Sequence, residues 1–183
     1  MNIKELIDGG MKFLDNNDLN GFYDYLWRTE TRHDMDIGKI TEILEECGID
    51  TVHNLQGVIP HAYLCDSNFI PDSLMNGNVL TFPNNIQTIG NSAFYGNLNP
   101  NLEIVDLRNI KFVAMYAFQR ACVETIYLPE PTEIKLDTTV FYKSELSKIY
   151  FPSGMPYEDD DLLEWIDGYI DDGNEMDIEI GYW

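Results

Sequence analysis

Three stretches decide the fold: VLTFPNNIQTIGNSAFYGN (79–97), LEIVDLRNIKFVAMYAFQRAC (102–122) and VETIYLPEPTEIKLDTTVFYKSE (123–145). They align on one another. Phe94, Phe118 and Phe141 recur at intervals of 24 and 23 residues. Phe82, Leu107, Leu128 and Phe151 recur at 25, 21 and 23, the last inside a broken fourth copy, LSKIYFP (146–152). Pro83, Pro129 and Pro152 follow three of those four positions, where a proline ends a strand and turns the chain. A fixed period of this length marks a repeat array. One such unit buries too little apolar surface to offset the ordering of its own backbone, so neighbouring units must share a core. The recurrent phenylalanines are read as that core.

Outward from the repeats, residues 1–57 read as helical. Asn2 with Glu5 has capping-box spacing, and Ile3, Leu6, Ile7 and Leu14 follow on one face. Gly9-Gly10 is expected to weaken this helix or end it early. Asp18 can cap a second helix carrying Leu19, Phe22, Tyr23, Leu26 and Trp27. Asp36 can cap a third, with Ile37, Ile40, Ile43, Leu44 and Cys47 at helical spacing and Gly48 as its stop. Residues 153–183 form an acidic end. There, Leu162, Leu163, Ile166, Tyr169 and Ile170 suit one face of a short helix begun by Asp159, Asp160 and Asp161. Met176, Ile178 and Ile180 alternate with acids as in a final strand.

The expected fold class is α+β: an N-terminal helical cap (1–57), a short array of β-rich repeats (58–152), and an acidic C-terminal cap (153–183).

Charge is the strongest functional signal. The chain of 183 residues holds 32 acids and 11 bases, a net charge of −21. Eleven of those acids and none of the bases fall in residues 153–183. Such a chain repels phosphate backbones and anionic membranes and is drawn to basic surfaces, so direct nucleic-acid binding and membrane binding are not expected. The residues singled out for partner binding are Asp159, Asp160, Asp161, Glu164, Asp167, Asp171 and Asp172. Exposed tyrosines on the repeats, Tyr95, Tyr127 and Tyr150, are a second candidate surface. An edge strand at 177–182 leaves a homodimer open.

Catalytic signals are weak. His33, His53 and His61 lack ligand-spaced neighbours, and Cys47, Cys65 and Cys122 lack CxxC spacing, so reduced, packed thiols are expected. No phosphate loop, GxGxxG or GxSxG string occurs. Asp167, Asp171, Asp172, Asn174, Glu175 and Asp177 are oxygen donors, but Gly168 and Gly173 do not fit the calcium-loop order. No catalytic or metal residue and no cofactor is assigned. The N-terminus lacks a basic start with an apolar run, and no run of about 18 apolar residues occurs, so a cytoplasmic protein is expected.

The repeat zone resembles the BspA-like, or Treponema pallidum-type, leucine-rich repeats. Ile86 to Phe94 carry the resemblance most closely. Phe112 to Phe118 keep the Ala-Phe pair, with Ala114 where the glycine would stand. Val140-Phe141 replaces that pair in the third unit, and Ile59 to Cys65 read as a degenerate first unit. The resemblance implies a curved, right-handed solenoid with one short strand per turn, used for binding and not for catalysis. Small phage- and mobile-element-encoded proteins also resemble this helical front joined to a few repeats. The function expected is therefore a protein-binding module with a basic partner, of the kind with which a phage occupies the nucleic-acid-binding surface of a host defence protein, such as a CRISPR or restriction nuclease. That would place it in the host-cell cytoplasm. The alternative is a structural or adhesive scaffold of a virion or cell surface.

Overall fold

A computed structural model describes residues 3–29, 37–137, 139–170 and 178–183. Helices α1 (Ile3–Asp15), α2 (Leu19–Thr29) and α3 (Ile37–Glu46) come first. Asn2 and Asp36, the expected caps of α1 and α3, lie outside the described residues. Asp18 does cap α2: the Gly21 N–H donates to its Oδ1 at 2.9 Å. Gly48, at φ 79°, ends α3 as expected, with the Ile49 N–H closing back onto the Leu44 carbonyl at 2.9 Å.

The reading of Gly9-Gly10 needs correction, because α1 runs straight through both. A side chain at Gly9 would stand 2.1 Å from the Tyr25 hydroxyl, and one at Gly10 would stand 2.4 Å from the Phe22 ring. The two glycines let α2 approach closely, and that packing outweighs the propensity cost of about 1 kcal/mol each.

The repeats form two sheets. One holds β1 (Val58–Ile59), β4 (Thr88–Ile89), β6 (Phe112–Val113) and β8 (Lys135–Leu136), all parallel. The other runs in the order β10 (Glu179–Tyr182), β9 (Lys148–Phe151), β7 (Thr125–Tyr127), β5 (Ile104–Asp106), β3 (Val79–Leu80) and β2 (Met75–Asn76). It is parallel except for the β2–β3 pair. Each central unit therefore contributes two strands, not the single strand per turn implied by the resemblance. Rows of side chains stack in register: Val105, Ile126 and Ile149 point inward in one sheet, as do Ile59, Ile89 and Val113 in the other, all fully buried.

A third run of hydrogen bonds passes through the phenylalanines. The Leu64 N–H donates to the Ala93 carbonyl (2.7 Å), Phe94 to Ala117 (2.8 Å), Phe118 to Val140 (2.9 Å) and Phe141 to Tyr169 (3.1 Å). The first rung makes 58–66 a genuine repeat unit, as the degenerate motif suggested. The last rung comes from the end of helix α4 (Asp159–Ile170), which continues the array in helical form.

Tight corners need left-handed residues on either side of each anchor. Ser92 and Gly96, Tyr116 and Arg120, and Thr139 and Lys143 all have φ between 55° and 61°. Only one of the six is glycine, so the stacked ladder holds non-glycine residues where they are intrinsically disfavoured.

One contiguous core reaches from Leu6 to Ile166. A buried polar network ties the helical front to the first unit. The Tyr23 hydroxyl meets Thr41 Oγ1 at 2.8 Å, and Thr41 donates to the Tyr63 carbonyl. The Tyr63 hydroxyl meets Thr51 Oγ1 at 2.6 Å, and Thr51 bonds Glu45. Burial pushes both phenols well above their ordinary pKa, so they stay neutral hydrogen-bonding groups.

Candidate functional site

Helix α4 sorts its side chains sharply. Leu162 and Ile166 are buried, and Trp165 meets Phe151 edge-on at 6.3 Å and Tyr169 at 5.4 Å. Asp159, Asp160, Asp161, Glu164 and Asp167 are all exposed. The structure thus brings five of the seven singled-out acids onto one helix; Asp171 and Asp172 lie outside the described residues.

Asp160, Glu164 and Asp167 follow i, i+4, i+7 spacing and form one stripe. The Asp161 carboxylate accepts from the Glu158 N–H at 3.2 Å, within the first turn. Asp159 accepts from the Tyr182 hydroxyl, which fixes the start of α4 beside β10 and raises the phenol's pKa. Among the described residues, no ion pair reaches Asp160, Glu164 or Asp167. Like charges at these spacings each cost a few tenths of a kcal/mol. The N-terminal carboxylates are offset by the helix dipole; the rest of the stripe is not.

The three tyrosines expected to be exposed are half-buried, and only two of them come together. Tyr127 and Tyr150 stack at 5.0 Å on the outer face of the six-stranded sheet. Tyr95 lies at the phenylalanine corner instead, accepting from Arg120 at 3.4 Å. Two residues absent from the sequence reading complete the stacked pair. Arg108 lies over both Tyr127 (5.6 Å) and Trp183 (5.1 Å), held by a forked bond to Asp106. The Trp183 indole N–H donates to the Leu128 carbonyl at 3.3 Å. Their distance in sequence gave no signal of this contact.

Two open grooves are lined mostly by polar and charged residues. One of about 480 Å³ is lined by Asn84, Arg108, Lys111 and Glu133 among others. Another of about 460 Å³ is lined by Glu42, Glu46, Asp72 and Phe69 among others. No disulfide joins the three cysteines, and Cys47 is exposed, which corrects the expectation of packed thiols: α3 stops at Glu46 and leaves Cys47 outside its apolar face.

Residues 72–163, half of the chain, match the family described as the BspA type leucine-rich repeat region (6 copies). The chain belongs to this BspA-type leucine-rich repeat family. No curated protein and no solved structure matches it. The family match starts beyond β1, so the first unit, 58–66, rests on the degenerate motif at Ile59 to Cys65 and on its hydrogen bonds to the second unit. No helix among the described residues is long and apolar enough to cross a membrane.

That first unit of the BspA-type array carries a pH-sensitive joint. His61 Nδ1 accepts the Asn91 N–H at 2.8 Å, and the His61 ring lies 5.0 Å from Trp27 of α2. Burial lowers the His61 pKa below its ordinary value; nearby Asp24 works against this. A ring that accepts at Nδ1 must be neutral there, so the unfolded chain takes up the proton first as pH falls. The joint is therefore at full strength above the ordinary histidine pKa, near 6.5, and weakens below it. The stability difference between wild type and His61→Asn should narrow as pH falls from about 8 to about 5. Denaturant unfolding across that range checks it, and a constant difference would contradict it.

Proposed function

We propose that this chain is a non-enzymatic protein-interaction module. In this reading it is a short solenoid closed by helices at both ends, and the exposed carboxylates of α4 bind a basic surface on a partner protein. Membership of the leucine-rich repeat family supports a protein-interaction role. The observation that carries the choice of surface is the Asp160, Glu164 and Asp167 stripe, exposed on a helix whose other face is anchored in the core. A basic partner would relieve the repulsion along that stripe. Surfaces that hold nucleic-acid phosphates are rich in lysine and arginine, so the partner we favour is a nucleic-acid-handling protein, such as a defence nuclease, blocked at that surface.

A second reading, a scaffold that meets its partner through aromatics, draws on the stacked Tyr127 and Tyr150 with Arg108 and Trp183. A paired affinity capture separates the two. Wild type and an Asp160→Asn, Glu164→Gln, Asp167→Asn variant are each washed at 0.1 M and 1 M salt, where the Debye length falls from about 10 Å to about 3 Å. The carboxylate reading expects a basic partner held by wild type at low salt, released at high salt, and held at least tenfold less by the variant. A partner that survives high salt and binds the variant equally well would instead establish the scaffold reading.

A further inference from the structure

Among the described residues, the six-stranded sheet is guarded at one edge and open at the other. At one edge it ends in β2, two residues long, antiparallel, and preceded by Pro71 and a 3-10 turn. At the other edge stands β10, four residues long and parallel to β9. The Glu179 N–H donates to the Ser147 carbonyl and the Trp183 N–H to that of Phe151, both at 2.9 Å. Alternate residues of a parallel strand face the same neighbour, so Ile180 and Tyr182 turn their N–H and C=O groups away from the sheet. Among the described residues, nothing bonds to those outward groups. An open row of this kind is a template for one more strand.

The surrounding charge selects the occupant. Glu179 is exposed on β10, and the Tyr182–Asp159 bond holds the acidic start of α4 alongside. Lys148 is the base nearest to hand, already 3.7 Å from Glu179. A second copy of this chain would bring the same acids against themselves. A strand carrying lysine or arginine would meet them with opposite charge.

We propose that β10 accepts an extended, basic segment of a partner protein as a seventh strand. This deepens, and rests on, the reading of α4 as a surface for a basic partner. The backbone groups of Ile180 and Tyr182 would supply the ladder, and Asp159, Asp160 and Glu179 the charge.

A synthetic peptide alternating lysine and valine tests it by NMR titration against the full chain. Binding should slow amide exchange at Ile180 and Tyr182. Methylating the peptide's alternate backbone nitrogens should weaken binding at least tenfold. Tyr182→Pro should do the same, because it removes an outward N–H without touching the bonds to β9. Tyr182→Ala, which loses the ring but keeps the N–H, should weaken it much less. Binding that ignores N-methylation and leaves both amides unprotected would overturn strand addition while leaving the α4 surface standing. Equal binding of an alternating glutamate–valine peptide would overturn the charge argument. A concentration-dependent dimer with the same two amides protected would make the second copy the occupant.

Discussion

Phe118→Ala is expected to cost about 3–5 kcal/mol of stability, the upper range for a buried phenylalanine. Phe118 is fully buried. It lies between Phe94 (5.1 Å, rings 5° from parallel) and Phe141 (5.7 Å, 9°). Removing it opens a cavity in the middle of the array and ends both stacks, each worth about 0.5–1.5 kcal/mol beyond burial. The stack cannot close over the gap, because each ring's backbone is held by the hydrogen bonds joining Phe94 to Ala117 and Phe118 to Val140. For a chain of this size the melting temperature should fall by roughly 6–20 °C. Phe118→Leu keeps most of the volume and loses the stacking, so it should cost markedly less. Thermal unfolding followed by far-ultraviolet circular dichroism measures both. A loss below about 1 kcal/mol for Phe118→Ala would mean that the phenylalanines do not carry the array.

The same phenylalanines were the most legible feature of the sequence. A bulky side chain that must meet its own copy in the next unit has to recur at the unit length, and it does. The two-sheet architecture was far less legible. Thr88–Ile89, Phe112–Val113 and Lys135–Leu136 are two-residue strands with one residue inward. Two residues cannot display an alternation; the strand positions read from the sequence, Phe82, Leu107, Leu128 and Phe151, all mark the other sheet, and the first three fall one or two residues beyond its strands, which end at Leu80, Asp106 and Tyr127. Left-handed corners such as Thr139 are illegible for a related reason: the ladder imposes the conformation, and the residue's own preference opposes it.

At the ends of the chain, legibility followed locality. Asp18, Gly48 and the acids of α4 act within a turn or two of themselves, and their roles could be read directly. Gly9-Gly10 was misread because its reason lies in Tyr25 and Phe22, on the next helix. The candidate site divides along the same line. The acidic helix was visible as an amphipathic pattern, whereas the clasp of Arg108, Tyr127 and Trp183 joins residues from separate units and the chain end, which no local pattern connects.

Gly90→Ala should separate the first unit from the second. Gly90 has an ordinary backbone conformation, so the glycine is there for space. A methyl group would stand 2.8 Å from the His61 nitrogen, 2.8 Å from the Ile59 carbonyl oxygen and 2.9 Å from the Pro60 carbonyl carbon. All three are backbone atoms, which cannot swing aside as a side chain can. The Gly90 N–H also donates to that Ile59 oxygen at 2.8 Å, so relief of the clash breaks the bond and pulls β4 from β1. Ala114 holds the corresponding place one unit on and already carries the methyl, while its N–H still donates to Ile89 at 2.9 Å. Overpacking of this kind costs about 1–3 kcal/mol. The damage should be local, with the Gly90-position amide exchanging faster while the Phe118 amide, two rungs away, keeps its protection. Ala114→Gly, the reverse change, should cost only about 0.5–1 kcal/mol, through backbone entropy. Unchanged stability and unchanged exchange in Gly90→Ala would show that the first two units are not packed backbone to backbone. The Leu64–Ala93 rung and the bond from the Asn91 N–H to His61 would then join the first unit to the second without that packing.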